Sequence, residues 1–126
     1  MTKQTYPSSL PYPFSAAVRT GKPDGPGLLF VSGQVGVRDG KTGDGIEEQT
    51  RFTMENIRDV LTQAGATLND VVKMTVFITD MSVWSRMNEV YRSFFTKDLP
   101  ARSALGVTAL ALPDLLVEIE CVAAVD

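Results

Sequence analysis

The 126-residue sequence contains no histidine and only one cysteine, Cys121. Without histidine the chain lacks the commonest general base and the commonest metal ligand. Triad hydrolysis and a zinc site of the usual ligand types are excluded with it, and no metal is expected. A single cysteine rules out an internal disulfide, and its apolar neighbours mark it as a small buried hydrophobe rather than a nucleophile. No apolar run approaches the ~20 residues that would span a bilayer. Residues 1–12 lack the apolar core of a signal peptide, so a cytoplasmic location is expected. Positive charge is not in excess either: 12 Lys and Arg against 15 Asp and Glu leave a net charge of −3. Nucleic acid calls for a basic stripe, so neither nucleic acid nor membrane is an expected partner. Chemistry must therefore come from carboxylates, arginine, hydroxyls, lysine or backbone.

What is present suits a single globular domain over residues 1–126. Residues 1–12 read as an irregular lead-in. Phe14–Arg19 alternates and predicts a strand; the turn-forming Thr20–Gly27 and a second strand over Leu28–Ser32 complete a hairpin with a long loop. Gly33–Gly45 reads as a flexible connection. It contains Gly40-Lys41-Thr42, but a phosphate loop would need glycine at Val35, and Gly36 is one residue too close. Asp44 and Glu47 predict a capping box before an amphipathic helix. Its inner face is Thr50, Met54, Ile57, Val60, Leu61 and Ala64, and Gly65 supplies a left-handed end.

Val71–Thr79 is β-branched and apolar in both phases, which predicts a central strand covered on both sides. Asp80 or Ser82 caps a second helix with Val83, Met87, Val90, Tyr91 and Phe94 inward and Trp84 beside them, in the core or at an interface. The order ββαβαββ predicts an α+β two-layer sandwich, both helices on one face of a mixed sheet. The other face stays bare and apolar, which a closed symmetric oligomer would remedy.

The last two strands carry the candidate chemistry. Over Pro100–Gly106, Arg102 shares a face with Ala104 and Gly106, so its guanidinium has open space beside it. Over Leu116–Ala123, Glu118 and Glu120 share one face, with Val117, Ile119, Cys121 and Ala123 opposite. On neighbouring strands these groups would form a compact site for an anion and a water. The alternative is an ordinary solvated sheet face, with Glu120 a surface partner for lysine or arginine.

Four patterns then acquire meaning in sequence order. They are Phe30-Val31-Ser32-Gly33-Gln34; Asp70-Val71-Val72-Lys73 leading into Thr75-Val76-Phe77; Asn88-Glu89-Val90-Tyr91 with Phe94-Phe95; and Pro100-Ala101-Arg102-Ser103 with Val117-Glu118-Ile119-Glu120. With them the chain resembles the Rid (reactive intermediate deaminase, RidA/YjgF) family over about residues 12–123. The resemblance implies a chorismate-mutase-like fold, a homotrimer with sites in the clefts between subunits, and hydrolysis of 2-imino acids to 2-keto acids and ammonia without a cofactor. It places the family's arginine at Arg102, its water-orienting glutamate at Glu118, its site-lining Ser-Gly pair at Ser32 and Gly33, and its helix asparagine at Asn88. Two positions depart from the family: its usual cysteine is Ala104, and its usual tyrosine is Phe14. Both changes make the expected cleft more apolar and suggest a larger imino or enamino acid, such as an aminomuconate-type intermediate. Two other readings stay open: a non-catalytic carboxylate binder or chaperone-like protein, and a ribonuclease, which the acidic charge disfavours.

Overall fold

The computed structural model describes residues 2–126. Eight strands and two helices follow in the order β1 (Thr2–Pro7), β2 (Ser15–Gly21), β3 (Gly27–Val35), β4 (Val37–Arg38), β5 (Lys41–Thr42), α1 (Gly45–Gln63), β6 (Val71–Ile78), α2 (Trp84–Arg92), β7 (Ala101–Gly106) and β8 (Val117–Val125). Six strands form one mixed sheet in the order β1-β2-β3-β8-β6-β7. Only β6 and β7 run parallel, joined by the α2 crossover. Both helices lie on one face, as the sequence predicts.

The alternation of each strand sorts side chains between the two faces. Leu29 and Val31 of β3, Met74, Val76 and Ile78 of β6, and Val117, Ile119, Cys121 and Ala123 of β8 are buried beneath the helices. Against them α1 lays Ile46, Met54, Ile57 and Leu61, all with almost no exposure. The other sheet face carries Leu28, Phe30, Val72 and Leu105, each more than two-fifths exposed.

The end of α1 matches expectation. Gly65 has φ +79°, the Gly65 N–H donates to the Thr62 carbonyl, and the Ala66 N–H reaches back to Leu61 at 2.8 Å. That pair of bonds is a Schellman cap. The start of α1 differs: Glu48, not Glu47, accepts the Asp44 N–H at 2.9 Å. Glu47 is engaged elsewhere, taking Arg86 of α2 in a two-pronged pair at 2.7 and 2.8 Å that ties the helices together. At the other helix, Asp80 accepts the Ser82 N–H at 2.9 Å, and α2 stops at Arg92, leaving Phe94 and Phe95 beyond it.

Three further expectations are corrected. The lead-in is not irregular, because Thr2–Pro7 pairs antiparallel with β2 as an edge strand. Its polar residues carry no alternation signal; the pairing is supplied by the open edge of β2. The connection over 33–45 is not loose, since β4 and β5 form a small hairpin around Asp39 and Gly40, with φ +52° and +74°. Positive φ at both turn positions suits an Asp-Gly pair between twisted strands. Finally, β6 lies inside the sheet but is covered by helices on one side only, with Val72 left exposed.

One buried polar side chain organises the approach to β8. Gln49 of α1 donates to the carbonyls of Gly43 at 3.2 Å and Asp114 at 2.9 Å, and accepts the Leu116 N–H at 2.8 Å. Both amide N–H groups and the carbonyl oxygen are thereby engaged, and the side chain fixes the residues that lead into Glu118.

Candidate functional site

Arg102 leaves β7 on the helix-covered side. Its register partner is Met74, whose own partner on β8 is Cys121, so all three share that face. Three residues of α2 receive it: Trp84, Asn88 and Tyr91, at spacings of i, i+4 and i+7 along one helix face. Arg102 Nη1 donates to Asn88 Oδ1 at 2.8 Å. The guanidinium carbon lies 5.0 Å from the Trp84 ring centre and 4.8 Å from that of Tyr91. Each ring contributes about 0.5–2 kcal/mol of cation–π attraction and supplies no negative charge. Trp84 is thus neither plain core nor a free surface ring.

No Asp or Glu among the described residues lies within 4.0 Å of the Arg102 guanidinium. In front of it a cavity of about 340 Å³ is lined by Asn88, Tyr91, Arg92, Leu99, Pro100 and Arg102. Ala104, one register step on, is half-buried against the core. The Tyr91 hydroxyl is buried without a hydrogen-bond partner among the described residues, and burial holds its pKa above the usual phenol range.

Glu118 leaves β8 on the opposite, open face. Its register partners are Phe77 of β6 and Val35 of β3. Here β3 holds one extra residue: Val31 pairs with Cys121 and Gln34 with Ile119, so Ser32 and Gly33 form a bulge. The Ser32 hydroxyl donates to the Ser15 carbonyl at 2.6 Å, linking the bulge to the start of β2 just after the exposed Phe14. Glu118 rests against Gly33 so closely that a Cβ there would fall 2.8 Å from its carboxyl carbon. Partial burial, and then the neighbouring Glu120, push the Glu118 carboxyl above its ordinary pKa. Cys121 is buried and pushed up to about 12, mainly by desolvation, which leaves it inert.

Because the atom in the way at Gly33 is the end of a flexible side chain, Gly33→Ala is expected to fold and to displace only the Glu118 carboxylate. Any turnover that depends on Glu118 should fall about tenfold or more while Tm moves little, as parallel kinetic and thermal-melt measurements would register.

The candidate residues therefore fall into two groups. Arg102, Asn88 and Ala104 sit on the helix side at the β7 edge; Glu118, Ser32, Gly33 and Phe14 gather around the bulge and the open face. The expected neighbouring of the arginine and glutamate strands is not found, since β6 separates them. Two strand spacings and three residues of offset put their backbones more than about 10 Å apart, with side chains on opposite faces. Glu120 has no Lys or Arg within 4.0 Å among the described residues; Lys73, on the same face, donates instead to Ser103 at 2.7 Å. Sequence reasoning missed the bulge, although a Ser-Gly step inside a strand is its usual signal. It also missed Gln49, which reads as an ordinary polar residue on a helix.

A six-stranded mixed sheet under one layer of two helices makes an α+β two-layer sandwich, with Arg102 held by uncharged groups on one side and Glu118 beside a bulge on the other. The family model described as Endoribonuclease L-PSP matches residues 7–125, so the chain belongs to that family, also known as YjgF, RutC or Rid. A RutC family protein of Pyrococcus horikoshii is 43% identical over 115 residues, 88% of this chain and 86% of that one. The Escherichia coli protein named "Putative reactive intermediate deaminase TdcF" is 37% identical over 101 residues, 76% and 78% of the two chains. The solved structure of TdcF with bound serine superposes with a TM-score of 0.84 at 32% identity, covering 97% of this chain and 94% of that one. Among the described residues no helix is long and apolar enough to cross a membrane.

Proposed function

We propose that the protein is a cofactor-independent deaminase that hydrolyses 2-imino or enamino acids to 2-keto acids and ammonia. One observation carries the reading: Arg102 is held only by an amide and two aromatic rings, faces a cavity, and has no acidic partner among the described residues. A guanidinium arranged in this way is suited to grip the carboxylate of an incoming acid through two parallel hydrogen bonds. The relative solved with serine bound is consistent with a small 2-amino-acid skeleton as ligand.

In this mechanism the Arg102-bound acid presents its C=N carbon to a water held by Glu118. Glu118 takes a proton from the water as its oxygen bonds to that carbon, and the C=N electron pair moves onto the nitrogen of the protonated imine, giving the neutral aminoalcohol. Glu118 then gives its proton to the amine, the C–N bond breaks to release ammonia, and the hydroxyl proton passes to Glu118 as the C=O bond forms. An imine is already electrophilic, so positioning and acid–base help of ~10²–10⁴ suffice. Ser32, Gly33 and Phe14 line the glutamate side of the pocket in this reading, and Asn88 and Ala104 the arginine side.

Since the two groups leave opposite faces of one sheet, Arg102 of one copy works with Glu118 of another. The exposed Leu28, Phe30, Val72 and Leu105 supply the apolar surface for such an assembly, which we take to be a closed homotrimer. A cytoplasmic location and a larger, aminomuconate-type substrate belong to the same proposal. The substitutions at Phe14 and Ala104 favour a second reading, a carboxylate binder without catalysis.

Ammonia release decides between them. With imino acids generated in situ by an amino-acid oxidase, the enzyme should accelerate release well above the spontaneous rate. A rate equal to background for every imino acid would leave only the binder.

A further inference from the structure

The cavity before Arg102 is lined by a second arginine for which the deamination chemistry has no use. Arg92 lines it together with Arg102. It closes α2 one helical turn beyond Asn88, the residue hydrogen-bonded to Arg102, so both arginines flank the same asparagine. Other arginines of the chain are engaged: Arg38, Arg51 and Arg86 pair with carboxylates, Arg19 with turn carbonyls, and Arg58 stacks on Phe94. Neither Arg92 nor Arg102 has an acidic group within 4.0 Å among the described residues, although the chain is acidic overall. A position at a helix C-terminus accounts for Arg92 being basic. It does not account for two arginines and no carboxylate among the residues by which this chain lines the cavity. Like charges there repel, and a ligand with two negative ends relieves both at once. Leu99 and Pro100 add an apolar wall for the carbon chain between those ends.

We propose that the site takes dicarboxylic 2-imino acids, the carboxylate beside C=N on Arg102 and the distal carboxylate on Arg92. The inference rests on the role given to Arg102 above and narrows its substrate class.

The test uses two stable products of equal length, 2-oxoglutarate and 2-oxopentanoate, titrated calorimetrically into the whole protein. The dicarboxylate should bind about 10- to 100-fold more tightly, the range expected for one additional charge-assisted contact. Arg92→Ala should abolish that preference, and Arg92→Lys should keep part of it. The Arg92 side chain is exposed and makes no hydrogen bond or ion pair with a described residue, so neither change threatens the fold. Equal affinities in the wild type, or a preference that survives Arg92→Ala, would overturn the dicarboxylate assignment alone. If neither acid binds, or binding is indifferent to Arg102→Ala, the role of Arg102 and this proposal fall together.

Discussion

Oligomers assembled from equal amounts of Arg102→Ala and Glu118→Gln subunits should recover roughly a quarter of wild-type turnover, although each variant alone is nearly inactive. Losing Arg102 removes two charge-assisted bonds to the substrate carboxylate, a loss of about 10²–10⁴-fold. Losing the Glu118 carboxylate removes the base, with a loss of similar size. A site shared between two copies needs an intact arginine from one and an intact glutamate from the next. Random assembly supplies each half the time, and one half of one half is one quarter. The measurement is ammonia release by co-expressed subunits against the same variants purified separately. Recovery shows that the two halves meet between chains. A mixture that stays at background, with oligomers intact by light scattering, shows that they do not.

The second large effect is in the pH profile. Burial and the charge of Glu120 both oppose ionisation of Glu118, so its pKa stands above 4.5. The base form is needed, so kcat/KM should drop on the acid side at a pH above that of an ordinary glutamate. Glu120→Gln removes the repelling charge, and the acid limb should move to lower pH. An unmoved limb would mean that another group sets it. Stability responds with a definite sign. A carboxyl whose folded pKa is raised adds stability at low pH, where it is protonated in both states, and that contribution is lost as pH rises through the folded value. Glu118→Gln should therefore gain Tm relative to wild type as the solution goes from acid to neutral. The Glu118 carboxylate is kept at some expense to the fold.

Much of this was legible in the residues. The α1 inner face, its Gly65 end and the inward Met87 and Tyr91 of α2 follow from helical periodicity, which is a local property, whereas Asn88 is singled out only by the family resemblance. The alternation of β7 and β8 correctly assigned side chains to the faces of each strand. Periodicity does not say which faces of different strands coincide. That depends on strand order, and placing β6 between β7 and β8 put Arg102 and Glu118 on opposite sides. The Ser32–Gly33 bulge shifts the phase of β3 by one residue, a change that only the register against β8 reveals. Thr2–Pro7 became a strand because β2 offered an edge, and Gln49 became a hub because three backbone groups converged on it.

The manner in which Arg102 is held has an electrical consequence. A carboxylate would fix the side chain equally well but would cancel its field, whereas the Trp84 and Tyr91 rings and the Asn88 amide hold it and leave the full unit of charge facing outward. The cavity mouth thus keeps a positive sign on a molecule whose total is negative, so that local and global polarity disagree there.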